Sequence, residues 1–356
     1  MKKERVVVAM SGGVDSSVAA ALLQKEGYEA IGMTMCFNLA DTGRRKSGCC
    51  GLQGIEDARR VAHKLGIRHY VINMQKPLRD FIIKDFCKEY LRGRTPNPCV
   101  RCNQFLKFDI LLKKALELDA RYLATGHYVR KIRTPRGFKL KKAKDPDKDQ
   151  SYFLYRLNQY QLRHALFPLG DYTKTEVREL ARKFGLAVAE KPGSQEICFL
   201  PDSDYRGFLK NRVKKKLQPG PIVDKDGDLL GRHRGVAFYT VGQREGLGLA
   251  LGYPAYISRI DAAKNQIVVG RREEAMEKAF LVSQLNLISA PHKKKVAARV
   301  RIRYNHKEAP ADIFFWGRRA KVIFREPQFA VTPGQSAVFY RRGTVLGGGA
   351  IEEVLD

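Results

Sequence analysis

The sequence has no apolar stretch that approaches the ~20 residues needed to span a bilayer. The run that follows Met1-Lys2-Lys3-Glu4-Arg5 breaks at Ser11, too early for the apolar core of a signal peptide. These absences predict a cytoplasmic protein with no membrane partner. Acidic residues are scarce: 37 Asp and Glu stand against 66 Lys and Arg, a formal charge of +29. Such an excess asks for a polyanion, and nucleic acid leads; a generally basic, merely soluble surface is the plainer alternative. No convincing internal repeat is found.

The most informative stretch is also defined by something missing. Ser11-Gly12-Gly13-Val14-Asp15-Ser16-Ser17 follows the short apolar run Val6 to Met10 and precedes a helical pattern from Val18 to Lys25, so it occupies a strand-to-helix turn. Two glycines clear side chains from the backbone, and the N–H groups and positive dipole end of the following helix then face an anion. The serines add hydroxyl donors. No lysine follows the last glycine as it would in a Walker loop, so ordinary γ-phosphoryl transfer loses its usual cation. The motif instead resembles the PP-loop of enzymes that split ATP into AMP and pyrophosphate. A glycine turn that merely joins strand to helix is the alternative.

Apolar runs alternate with helical patterns over the first two hundred or so residues. Ala30 to Met35, His69 to Met74 and Tyr122 to Thr125 read as strands. Ile55, Ala58, Val61, Ala62 and Leu65 give one helix a buried stripe, and Leu78 to Leu91 and Phe105 to Leu118 also read as helical. This predicts an α/β, doubly wound parallel sheet with ligands at the carboxyl ends of the strands, and the resemblance to PP-loop enzymes implies its Rossmann-like HUP type. From Pro219 the texture changes to short β-branched runs punctuated by Gly and Pro: Val236 to Val241, Tyr256 to Ile260, Gln266 to Val269, Lys295 to Arg303, Ala320 to Phe324 and Ser336 to Tyr340. Two small β-rich domains are expected, the last a β-barrel. The division is 1–208, the α/β domain with the PP-loop; 209–275, a central β-rich domain; and 276–356, the C-terminal barrel. Gly246 to Gly252 is one residue too long for a dinucleotide fingerprint and reads as a turn.

Basic residues cluster. Arg130 to Lys148, interrupted by Pro135-Arg136-Gly137, reads as a long hairpin or flexible loop; a second run is Lys210 to Lys216. Arg299-Val300-Arg301-Ile302-Arg303-Tyr304 alternates with a period of two, so one strand face would present three guanidinium groups over a packed Val300, Ile302 and Tyr304. Such a face suits phosphates, whose contacts release counterions without reading base sequence. A solvated sheet face is the alternative.

Seven cysteines in a chain read as cytoplasmic argue against a disulfide framework, so each is judged by its surroundings. Cys36 and Cys87 lie in apolar contexts and read as small core residues; Cys49-Cys50 suits a packing or turn role. Cys99 and Cys102 form a CxxC that follows Thr95-Pro96-Asn97-Pro98 and leads into a helix, beside Arg101. A helix N-terminus and a cation both favour a reactive thiolate. A CxxC also begins a zinc site, but no second CxxC or His pair with ligand spacing follows. Cys198, in Gly193-Ser194-Gln195-Glu196-Ile197-Cys198-Phe199, is far along the chain, and spacing alone would leave it a buried thiol.

Taken in order, the loop Ser11 to Ser17, Gly32 to Met35, Arg94 to Pro98, Cys102-Asn103, Thr125 to Tyr128, Lys148 to Leu154, Ile197 to Phe199, Thr240 to Arg244 and Val331 to Ala337 resemble the tRNA-specific 2-thiouridylase family, nearly end to end. The resemblance implies conversion of the wobble uridine (position 34) of certain tRNAs to 2-thiouridine. The uracil oxygen at carbon 2 would be adenylylated and then displaced by sulfur from a cysteine persulfide, releasing AMP and pyrophosphate. It assigns Ala9, Met10, Ser11, Gly12, Gly13, Val14, Asp15 and Ser16 to the ATP phosphates, and Met35 and Gly126 to the adenine and ribose side. Cys198 would carry the persulfide; Cys102 would attack or resolve it, leaving a Cys102 to Cys198 disulfide. Asn97, Pro98 and Cys99 would border the target base, while Lys148, Asp149, Gln150, Arg303 and Tyr304 would contact the anticodon stem-loop. ATP, Mg²⁺ near Asp15 and a persulfide or sulfide donor protein are implied, and a monomer is expected.

One departure matters: many members have an aspartate where this chain has Cys99. Cysteine cannot serve as that carboxylate, and Cys99, Cys102 and Cys198 are also the thiolates that a 4Fe-4S cluster with one open iron would need. Two readings of other classes remain at the level of sequence. One is a small-molecule PP-loop ligase or amidotransferase without RNA, against which the basic clusters and reactive cysteines stand; the other is a non-catalytic RNA-binding protein, against which the unbroken SGGxDS stands.

Overall fold

The computed structural model describes residues 3–37, 51–193, 197–200, 204–213, 217–289 and 293–355. Cys49, Cys50, Ser194 to Glu196 and the end of the Lys210 to Lys216 run lie outside the described residues. The chain forms two compact units. One comprises Met1–Ile82, Cys99–Ser203 and Gly343–Val345; the other comprises Ile83–Pro98, Asp204–Arg342 and Leu346–Asp356.

The first unit is built on strands β1 (Arg5–Ala9), β2 (Glu29–Cys36), β3 (Arg68–Asn73) and β4 (Tyr122–Ala124). A hairpin follows, β5 (Val129–Thr134) and β6 (Gly137–Lys142), and then the short β7 (Ala165–Leu166). The basic stretch from Arg130 is therefore an antiparallel hairpin. The main sheet has the order β3-β2-β1-β4-β7, every pairing parallel. Val6, Val7 and Val8 are wholly buried, as a central parallel strand covered on both faces requires. Each such side chain contributes about 1.5–3 kcal/mol through burial. The strand order reverses at β1, with β2 on one side and β4 on the other, so the crevice at the carboxyl end of β1 is the ligand position of this sheet class. The Ser11 motif begins at that end.

Helix Val14–Lys25 packs Val14, Val18, Ala19 and Leu23 into a core shared with Ala58 and Val61 of helix Leu52–Leu65 and Val177 and Ala181 of helix Lys174–Lys183. The last of these starts at a capping box, with Thr173 and Glu176 each bonding the other's backbone N–H. The expected plain helix from Phe105 is different in form. It begins at Pro98, runs as α-helix through Arg101, widens to a π-helix over Cys102–Leu111 and returns to α-helix over Leu112–Glu117.

The second unit holds two sheets. Strands β8 (Gly220–Val223), β9 (Leu229–His233), β10 (Tyr256–Asp261) and β11 (Gln266–Gly270) pair in the order β10-β11-β8-β9 around Ile222, Ile257, Ile267 and Val269. Strands β12 (Met276–Leu287), β13 (Lys295–Arg301), β14 (Ala309–Trp316), β15 (Arg319–Phe329), β16 (Ser336–Arg341) and β17 (Thr344–Leu355) run β12-β15-β14-β13-β16-β17. Pairing of β12 with β17 closes them into a barrel filled by Phe280, Val300, Ile313, Val322, Phe324 and Phe339. A HUP-type parallel sheet followed by two β-rich regions, the last a barrel, is the architecture the sequence predicts. Among the described residues no helix is long and apolar enough to cross a membrane.

Two local expectations fail. Val236 to Val241 is not a strand: Val236–Phe238 is a 3-10 turn entered through Gly235 at φ 129°. The Phe238 carbonyl accepts from Tyr205 Oη at 2.9 Å and Arg206 Nε at 3.1 Å. The alternating face at Arg299 also ends early. β13 stops at Arg301, and the chain then turns, so Arg303 and Tyr304 fall beyond the ladder although Val300 and Ile302 are buried as expected.

Candidate active site at the PP-loop

The loop is shaped from within. Gly12 adopts φ +72°, and a Cβ there would lie 2.1 Å from the Gly54 carbonyl oxygen, so only glycine fits. Ser16 Oγ accepts from the Ser11 N–H at 3.1 Å, and Ser17 Oγ donates to the Gly13 carbonyl at 2.9 Å. Gly13 is the N-cap of Val14–Lys25 and has no side chain with which to cap it. The first-turn N–H groups consequently point out of the helix as an anion site. Gly126, at the end of β4, packs directly on this turn, for a Cβ there would come within 2.8 Å of Asp15 C and Ser16 N. The fold thus joins two stretches the sequence singled out, the loop and Thr125-Gly126-His127. Ala9 and Met35 sit half-buried at the carboxyl ends of β1 and β2, at the same edge of the sheet.

Two ammonium groups that sequence reasoning missed reach this loop. Lys174 Nζ lies 2.6 Å from Asp15 Oδ1, which also accepts from Tyr128 Oη at 2.7 Å. Burial, and then the Asp15 charge, raise the Tyr128 phenol far above its ordinary pKa, so it stays a donor. Lys191 Nζ donates to the Gly12 carbonyl at 3.0 Å and to Asp57 Oδ2 at 2.6 Å. Burial opposes the charged form of Asp57, but hydrogen bonds from Lys191, Arg60 and Gln53 outweigh it and hold its carboxyl below the usual range. Neither lysine carries a local signal. They stand 159 and 179 positions from Asp15 and Gly12, and only the fold pairs them. His127 is buried, its Nδ1 2.7 Å from Thr125 Oγ1 and its Nε2 3.4 Å from Lys107 Nζ. Burial, and then the Lys107 charge, push its pKa well below normal, and the imidazole is neutral.

Cys99 is exposed in the first turn of the Pro98 helix, and Cys102 opens the π-helical segment half-buried; the CxxC lies inside the helix rather than ahead of it. Cys198 is half-buried. Among the described residues no group of three or more His, Cys, Asp or Glu side chains gathers to hold a metal ion. Cys99, Cys102 and Cys198 form no such group. Cys87 is buried, which raises its thiol pKa, as suits a core residue; Cys36 is half-buried at the end of β2.

Residues assigned to RNA contact differ in their surroundings. The Asp149 carboxylate is buried and accepts from the Ala143 and Ser151 N–H groups at 3.0 and 3.3 Å and from Ser151 Oγ at 2.8 Å, while Gln150 Oε1 accepts from the Tyr128 N–H at 3.0 Å. Both hold the loop that presents Lys148. Asn97 and Pro98 end the lead Arg94 to Pro98, which is tied within the second unit. Arg94 donates to the Ile351 and Glu352 carbonyls, and Gln335 Nε2 donates to the Thr95 and Pro96 carbonyls at 3.1 and 3.2 Å. In the barrel, Arg299 and Arg303 each donate 2.6 Å bonds to backbone carbonyls, of Glu308 and Phe329, and Arg301 donates to that of Tyr304. The guanidinium of Arg301 lies 5.2 Å from the Tyr304 ring centroid.

Comparison with known proteins meets this geometry. Residues 4–202 match the family described as tRNA methyl transferase HUP domain, 206–271 the tRNA methyl transferase PRC-barrel domain, and 277–351 the aminomethyltransferase beta-barrel domain. The chain is 51% identical over 355 residues to the tRNA-specific 2-thiouridylase MnmA of Halothermothrix orenii, covering 98% of this chain and 99% of that one. It is 49% identical to the protein of the same name from Carboxydothermus hydrogenoformans, over 99% of each chain. The chain belongs to the tRNA-specific 2-thiouridylase family. This is an ATP-using PP-loop family, and the 2-thiouridylases within it act on tRNA.

Proposed function

We propose that this protein converts the wobble uridine of tRNA to 2-thiouridine in an ATP-dependent reaction. The observation that carries the reading is the uncapped PP-loop turn, backed by Gly126 and opening at the switch point of the parallel sheet, in a chain that matches 2-thiouridylases from end to end. The loop residues Ala9 to Ser16 hold the ATP phosphates, and Met35 and Gly126 face the adenosine. Asp15 is the carboxylate that would hold Mg²⁺, and one carboxylate suffices for an ion that takes its remaining ligands from phosphates and water. Such an ion would supply charge neutralisation at the phosphates.

In the proposed sequence the C2 oxygen of uracil attacks the α-phosphate, pyrophosphate departs, and the oxygen becomes part of a good leaving group, AMP. Cys198 carries a persulfide received from a donor protein. Its outer sulfur displaces AMP from C2. The Cys102 thiolate then attacks the Cys198 sulfur, breaking the bond to the transferred sulfur, freeing 2-thiouridine and leaving a Cys102–Cys198 disulfide that an external thiol must reduce. Sulfide released by Cys102 before attack on C2 gives the same balance. Asn97 to Cys99 border the base. Lys148 and its loop, with Arg303 and Tyr304, hold the anticodon stem-loop. The domains divide near residues 208 and 275, and the protein acts in the cytoplasm as a monomer.

The test is incubation of the purified chain with tRNA, ATP, Mg²⁺ and a sulfide or persulfide donor, followed by digestion and mass analysis of the nucleosides. A 2-thiouridine product with tRNA-dependent AMP release supports the reading. AMP formation that ignores tRNA, with no thiolated nucleoside, overturns it.

A further inference from the structure

The PP-loop lacks the lysine of a Walker loop, yet its triphosphate needs more positive charge than a helix terminus, worth about half an elementary charge, can give. Of the two ammonium groups at the loop, Lys191 is committed. Its carboxylate partner Asp57 has a side chain only 8% exposed and is also bonded by Arg60 and Gln53, and Lys191 is further held by the Gly12 carbonyl. Releasing it would strand a buried carboxylate.

Lys174 is placed differently. It begins the helix Lys174–Lys183, fixed by the Thr173–Glu176 capping box and by a 2.9 Å bond from its own N–H to Asp145 Oδ2. From this anchored backbone the side chain reaches Asp15, whose side chain is 34% exposed and lies within the PP-loop turn. Asp15 also keeps a second donor, Tyr128 Oη, if the ammonium leaves. A carboxylate in the first turn would by itself repel an incoming phosphate chain, and the paired ammonium cancels that repulsion.

We propose that Lys174 is the phosphate-binding lysine of this site, supplied from a distant helix and held by Asp15 until the nucleotide arrives. This deepens the ATP-dependent reading above and rests on it. When the triphosphate enters, Lys174 exchanges a single carboxylate for phosphate oxygens a side-chain rotation away, and in the product state it holds the departing pyrophosphate. Its ligand is thus the pyrophosphate part of ATP, not the adenosine.

The experiment titrates the full-length chain with inorganic pyrophosphate and, separately, with AMP. In Lys174→Met the pyrophosphate dissociation constant rises by about tenfold or more, the size of one lost charge-assisted bond, while that of AMP changes by less than about twofold. Lys174→Arg, which keeps the charge and guards against a folding defect, recovers most of the pyrophosphate affinity. Equal weakening of both ligands in Lys174→Met, or an unchanged pyrophosphate constant, overturns the proposal. Wild-type protein that binds neither ligand also overturns it, and locates the failure in the ATP reading itself.

Discussion

The PP-loop crevice and the C-terminal barrel are both rich in cations, but they spend them differently. In the crevice, Lys174 and Lys191 are bonded to the carboxylates Asp15 and Asp57. In the barrel, Arg299, Arg301 and Arg303 are bonded to main-chain carbonyls of neighbouring segments. An ammonium paired with an exposed carboxylate can be exchanged onto a ligand anion, because one charge-assisted partner replaces another. A guanidinium that satisfies a carbonyl is maintaining the chain's own shape, and only its unused N–H groups remain for a partner. Clustering of basic residues therefore does not by itself distinguish a binding surface from a scaffold.

The sharpest way to break this contrast is to separate chemistry from binding. Cys198→Ala is expected to abolish 2-thiouridine formation, measured in digested tRNA, while tRNA affinity stays at the wild-type level. Persisting thiolation would mean that the reaction does not depend on the proposed persulfide. Next in size is Gly12→Ala. The φ of +72° and the 2.1 Å approach to the Gly54 oxygen predict about 1–3 kcal/mol lost in denaturant unfolding, together with weaker ATP binding.

The barrel offers a test by pH. Burial, and then the Arg303 charge, lower the His306 pKa to about 4 from an ordinary value of 6.5, although a bond to Gln328 opposes the shift. Between those values the unfolded chain binds a proton that the folded chain refuses, so stability is full above pH 6.5 and declines as pH falls toward 4. His306→Gln should flatten that part of the profile. The smallest effects concern single arginines. Arg299→Ala should lower stability by roughly 0.5–1.5 kcal/mol and leave tRNA affinity unchanged. Arg303→Ala should reduce the slope of log affinity against log salt by about 1, as one lost phosphate contact would. Equal behaviour of the two would overturn the assignment of Arg303 to the anticodon stem-loop.

What the sequence makes legible follows from how local each signal is. The PP-loop is a contiguous set of residues whose function resides in backbone geometry, and the parallel strand Val6 to Val8 and the barrel strand Ala320 to Phe324 announce themselves by hydrophobic pattern. Lys174 is invisible because its partner lies across the fold; the capping residues around it mark only a helix start. Val236 to Val241 has the composition of a strand, but Gly235 at positive φ and two side chains on the Phe238 carbonyl divert it into a turn. Arg299 to Tyr304 alternates correctly only as far as the ladder lasts, and no local pattern says that β13 stops at Arg301. Nor does any pattern announce that Ile83–Pro98, inside the stretch that reads as one α/β domain, packs with the second unit.

Lys191, bonded to the Gly12 carbonyl, stands seven residues before Cys198 in the chain. Seven residues of fully extended polypeptide reach about 25 Å. While that bond holds, chain length alone keeps Cys198 within that distance of Lys191, and so of the loop that Lys191 is bonded to. Were Cys198 to carry the sulfur as proposed, donor and uridine would both have to come within that distance.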